Sequence, residues 1–108
     1  MDNISSKEAN QRVETIKYVA EKAMVVIRLA EARNSRCFNE VQTFAMQTLR
    51  PYDDVRASIL MNAAMSCRDI YKRGDVAGAC DSLINSIKTN TGAVFKGMLD
   101  YLKNHYNV

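Results

Sequence analysis

Four side chains could ligate a soft metal or form a thiolate nucleophile with its base: Cys37, Cys67, Cys80 and His105. Structural zinc sites draw on ligand pairs a few residues apart. Here the thiols are scattered and His105 stands close to the C-terminus, so neither a metal centre nor a Cys–His catalytic pair is expected. Adjacent carboxylates at Asp53 and Asp54 could serve acid–base chemistry. They directly follow Pro51 and Tyr52, however, where acidic residues suit the positive end of a new helix. The glycines spell neither a Walker loop nor a dinucleotide-binding fingerprint. No cofactor is implied, and the chain reads as non-enzymatic.

The tripeptide Arg73-Gly74-Asp75 poses a different question, since the same letters serve as a cell-adhesion ligand. They fall here between two amphipathic stretches. Gly74 is placed to end a helix in the left-handed conformation that only glycine adopts cheaply, and Asp75 is a good N-cap for the next helix. The surrounding stretch, DIYKRGDVAGACDSL, resembles the helix–Gly–Asp–helix turn of a tetratricopeptide unit over that one turn, and no second copy of it occurs in the chain.

The 108 residues fit a single helical domain with a loose end at residues 1–4. Hydrophobic residues make up 47% and charged residues 25%, an ordinary globular balance. One proline and four glycines leave little material for a turn-rich β-fold. The net charge of +3 is spread along the chain, where a dedicated nucleic-acid module would show a basic stripe. An odd number of widely spaced cysteines, with no apolar leader in MDNISSKEAN, points to a reducing, cytoplasmic compartment. The longest apolar run, Ala23 to Ile27, is far too short to span a bilayer, so no membrane role is expected.

Ser5 with Glu8 forms a capping box. After it, Ala9, Val13, Ile16, Ala20, Ala23, Ile27 and Ala30 alternate spacings of four and three, a helical seam. The first helix is expected from Ser6 to Arg33, roughly 40 Å long, and the second over Ser35–Leu49 with Phe38, Val41, Ala45 and Leu49 inward. Pro51 separates it from a third helix over Tyr52–Arg73. That helix is expected to bury Val55, Ile59, Ala63, Cys67 and Ile70, a stripe widened by Leu60, Ala64 and Tyr71. A fourth helix, Val76–Lys88, folds back antiparallel, bringing Cys67 near Cys80. Thr89-Asn90-Thr91-Gly92 reads as a last break, with Thr91 capping a fifth helix over Gly92–His105. Gly78 and Gly97 leave room for close helix approach. The expected fold is thus all-α: a compact four- to five-helix bundle with a long N-terminal helix and a tight hairpin between the third and fourth helices at Gly74-Asp75.

Surplus apolar positions carry the functional expectation. Tyr18, Val25 and Leu29 form a second stripe on the first helix, opposite the seam. On the third helix, Met61 and Met65 share a side with Arg68 and Lys72, and methionine adapts to irregular partner surfaces. These positions suggest a small cytoplasmic adaptor, chaperone or inhibitor that binds another protein or a second copy of itself. The alternative is a nucleic-acid-binding edge built from Arg28, Arg33, Arg36, Arg50 and Arg56 contacting phosphates.

Overall fold

The computed structural model describes residues 5–106, and every regular element among them is helical. α1 spans Ser6–Glu31, α2 Cys37–Phe44, α3 Asp54–Lys72 and α4 Val76–Tyr106, with a π-helical turn at Ala45–Leu49 prolonging α2. The helices pack as a ring in which α1 touches α2, α2 touches α3, α3 touches α4, and α4 returns to α1. The bundle measures 53 × 22 × 19 Å. Its core lies between Val19 on α1 and Val94 on α4, around the fully buried Phe38, Leu49, Leu60, Leu83 and Ile87. α3 has 19 residues and α4 has 31. The last turns of α4 therefore outrun α3 and lie beside the first turns of α1, where Arg12 sits 3.9 Å from the centre of the Tyr101 ring.

α1 starts where Ser5 Oγ accepts from the Glu8 amide at 3.1 Å, satisfying one of the amides a helix start leaves without a partner. It ends at Glu31, two residues short of the expected Arg33. Arg33 itself takes the left-handed conformation, at φ 58°, which costs a non-glycine residue about 1–2 kcal/mol. The Asn34 amide reaches back to Leu29 O at 3.0 Å, closing the helix end. Arg33 Nη1 donates to Asp81 on α4 at 2.8 Å.

The end of α2 is governed by Pro51. A proline ring collides with the carbonyl four residues back and donates no hydrogen bond. The preceding turn widens, and the Arg50 amide bonds Ala45 O at 2.9 Å, five residues back. α3 then begins at Asp54 instead of Tyr52. Asp53 is extended and is the N-cap, accepting from the Arg56 amide at 3.0 Å.

The expected break at Thr89–Gly92 is absent, and the two short helices form one 31-residue helix. Asn90 and Thr91 are buried against the bundle, at 3% and 4% exposure. Asn90 Nδ2 donates to Ser86 O at 2.8 Å, one turn back, so its amide braces the helix instead of interrupting it. Burial of Ile87 and Val94 on either side outweighs a propensity cost of about 1 kcal/mol for Gly92.

α3 buries Leu60, Ala64 and Cys67 as expected but is turned toward that side of the expected stripe. Ala57, Leu60, Ala64 and Cys67 are its buried residues, while Val55 is 68% and Ile59 45% exposed. Both stripes have helical spacing, and the alanine-rich one lets α3 lie close to two neighbours at once. At the hairpin, Gly74 has φ 106°, and Asp75 Oδ1 accepts from the Gly78 amide at 2.9 Å. Gly78 does not admit a neighbouring helix. A Cβ there would fall on the Asp75 carboxylate, whereas one at Gly97 would meet nothing within 4 Å.

The hairpin yields a coupled pair of expectations. Gly78→Ala should bring little or none of the roughly 1 kcal/mol that alanine adds inside a helix, because it displaces the Asp75 cap, itself worth about 1 kcal/mol. In an Asp75→Ala background the same substitution should stabilise by about 1 kcal/mol. Denaturant melts of the four proteins check this, and additive effects would contradict it.

Candidate functional site

Among the described residues, His105 and the Asp53–Asp54 pair stand apart from the three cysteines. Cys37, Cys67 and Cys80 are buried, and Cys80 lies within electrostatic reach of both others. Burial pushes the Cys37 thiol up to about 12, with Cys80 adding to the shift. Burial, then Cys80, raises Cys67 as well. Such thiols stay protonated and unreactive near neutrality. His105 stands on the same helix as Cys80, 25 residues further on, or roughly 37 Å away. It is not simply solvated: its ring stacks on Tyr101 at 4.1 Å, and Nδ1 donates to Tyr101 O at 2.9 Å. Among the described residues no group of three or more His, Cys, Asp or Glu side chains could hold a metal. Asp53 is engaged as a cap, and Asp54 pairs with Arg50 at 3.1 Å.

The five arginines of the alternative reading are not brought together. Arg33 and Arg36 flank the α1–α2 connection. Arg50 and Arg56 stand at the other end of α2 and its π turn, some 20 Å away at 1.5 Å per residue. Arg33, Arg36 and Arg50 each face a carboxylate, from Asp81, Glu40 and Asp54 respectively, leaving Arg28 and Arg56 well separated.

The surplus apolar positions divide. Leu29 is half-buried and packs against the core, whereas Tyr18 and Val25 are 53% and 55% exposed. Met61 likewise packs on the core, so it does not stand outside it with its neighbour; Met65 is 48% exposed. Arg68 is half-buried, with Nε enclosed and without a hydrogen-bond partner, and Lys72 is exposed.

Tyr18 and Val25 line a groove of about 290 Å³ between α1 and the α2–π segment. Its apolar floor includes the buried Val26 and Phe44, and its far wall carries Gln47 and Thr48 from the π-helical turn. Lys22 Nζ lies 5.5 Å from the centre of the Tyr18 ring, a cation–π contact. Periodicity along α1 marks Tyr18 and Val25. It does not mark Gln47 and Thr48, which reach the groove through the widened turn; Pro51, a few residues downstream, is the only local hint of that turn.

The buried thiols set an alkaline expectation. A folded-state pKa raised above the unfolded value means that the fold favours the neutral thiol. That stabilisation is complete below the ordinary value of 9.0 and is lost as pH rises toward about 12, by linkage. Cys37→Ala should therefore flatten the fall in stability over that window, as read by denaturant melts at several pH values. Iodoacetamide should modify Cys37 in the native protein at pH 8 far more slowly than in denaturant, and equal rates would contradict this account. No protein-family model matches the chain, and comparison with curated proteins and with solved structures found no significant similarity.

Proposed function

We propose that this protein is a non-catalytic interaction module, a small adaptor, chaperone or inhibitor. It binds another protein through the groove between α1 and the α2–π segment. One observation carries the reading: two large apolar side chains, Tyr18 and Val25, remain more than half exposed beside an apolar floor. Aromatic anchors that can enter or receive a pocket dominate the energetics of protein interfaces. Gln47 supplies a polar group at the rim, suited to orienting a helix or an extended segment. The exposed Met65 with Lys72 on α3 is a secondary contact in this reading. The dispersal and pairing of the arginines favour a protein partner over nucleic acid. Three buried free thiols favour a reducing, cytoplasmic site of action, and no helix among the described residues is long and apolar enough to cross a membrane.

The test is comparative capture from the native host with quantitative mass spectrometry. Val25→Glu and Tyr18→Ala are surface changes that should leave the fold within about 0.5 kcal/mol of wild type. Each should lower recovery of a specific partner by at least about tenfold, corresponding to 1.4 kcal/mol or more. Identical recovery from wild type and both variants, with unchanged thermal melts, would remove the basis for the groove.

A further inference from the structure

We propose that the outward groove between α1 and α4, on a face of α1 different from the first groove, is a second docking site shaped for an acidic amphipathic helix. The groove encloses about 190 Å³ and is floored by Ala23 and Ile27 from α1 and by Ile87 and Thr91 from α4. Met24 and Phe95 stand on its walls. Along the same face, toward the end of the bundle that α3 does not reach, Val13 and Leu99 are 40% and 54% exposed. The apolar strip thus continues beyond the groove over several helical turns, the form that the anchor residues of a docked helix require.

Two features of α4 point to an occupant. Gly92 lines the groove, and a Cβ placed there would meet nothing within 4 Å. No contact inside the monomer requires glycine at that position, yet it leaves a gap through which a second helix backbone can approach. Beside it, Thr91 is only 4% exposed, and its hydroxyl has no hydrogen-bond partner. A buried hydroxyl left without a partner is costly, so this part of the groove wall is incompletely satisfied within the monomer.

Charge selects the chemistry of that helix. At 100° per residue, Lys88, Gly92, Lys96, Leu99 and Lys103 fall within an arc of about 80° on α4. The three lysines are eight and seven residues apart, so they form a ladder with steps of roughly 11–12 Å. All three are exposed, and among the described residues none forms an ion pair; the exposed Asp100 stands one turn from Lys96 and from Lys103, so this side of α4 carries a net positive charge of two. The α1 rim is mixed: Glu14 is engaged with Lys17 at 3.4 Å, and Glu21 and Arg28 offset each other in sign. A docked helix therefore gains most by turning its acidic side toward α4, and carboxylates spaced seven and eight residues apart would meet the ladder in register. The concavity at Gly92 fits a helix better than it fits a flat lipid surface.

The probe is a fluorescently labelled synthetic helix of about 20 residues with a Leu/Ala stripe and glutamates seven and eight apart; its control has lysines in their place. Anisotropy titrations should show saturable binding of the glutamate peptide and none of the control. Gly92→Leu, which fills the groove at an open helical position, should weaken binding by at least about tenfold. Lys96→Glu with Lys103→Glu should do the same and should admit the lysine peptide. Far-UV circular dichroism and melts establish that both variants are folded, and Tyr18→Ala should leave this binding unchanged, separating the two grooves. Equal binding of both peptides, or indifference to Gly92→Leu, would overturn the proposal. So would binding to phosphatidylserine vesicles without binding to the glutamate peptide, or a dimer in sedimentation that excludes the peptide.

Discussion

The antiparallel pairing of α1 with α4 is the constraint on which the rest of the fold depends. The two helices keep one register along their shared length, pinned near one end by Arg33 on Asp81 and near the other by Arg12 over Tyr101. Neither pin is strong. The Arg33 and Asp81 side chains are 38% and 63% exposed, and such pairs contribute between zero and about 1 kcal/mol. The pairing rests on the apolar side chains between the pins: Ala23, Ile27 and Ala30 against Ile87 and its neighbours. Small residues on α1 let the axes come close, and the polar pins then select among registers the apolar surface would also accept.

From that pair the other elements follow. α2 and its π turn cover one side of α1, α3 covers one side of α4, and Phe38 meets Tyr71 edge-on at 5.2 Å where α2 and α3 join. Because α3 is much shorter than α4, the ends of α1 and α4 farthest from the hairpin keep apolar side chains such as Val13 and Leu99 in solvent. α1 becomes the shared wall of two grooves, one toward the π turn and one toward the outer face of α4. One rigid helix thereby fixes the distance between the two grooves. The thiols are buried in the core, His105 lies near the far end of α4, Asp53 caps α3 and Asp54 pairs with Arg50.

Signals with a local cause were legible in the sequence. Ser5 caps α1 through Glu8, Gly74 takes a positive φ, and Asp75 caps α4; each depends on residues within three positions. What was not legible depended on neighbours distant in sequence. Thr89-Asn90-Thr91-Gly92 has the composition of a turn, and only burial of Asn90 and Thr91 beside α1 turns it into helix. On α3, the stripe of Val55 and Ile59 and the stripe of Ala57 and Ala64 have the same period. Packing against α2 and α4 selects the side that carries Ala57, Leu60 and Ala64. Tyr18 and Val25 could be singled out from periodicity on α1, but the same pattern could not separate them from Leu29, which the core absorbs.

Continuity of α4 through Thr89–Gly92 is the central claim, because the register with α1, the reach of the helix beyond α3 and both walls of the outer groove depend on it. Native-state amide hydrogen exchange read residue by residue tests it most directly. The account predicts that the amides of Asn90, Thr91 and Gly92 are protected to the same degree as those of Leu83 to Ile87 and exchange only with global unfolding. Rapid exchange at these three amides, with protection retained on either side, would mean two helices joined by a turn and would contradict it.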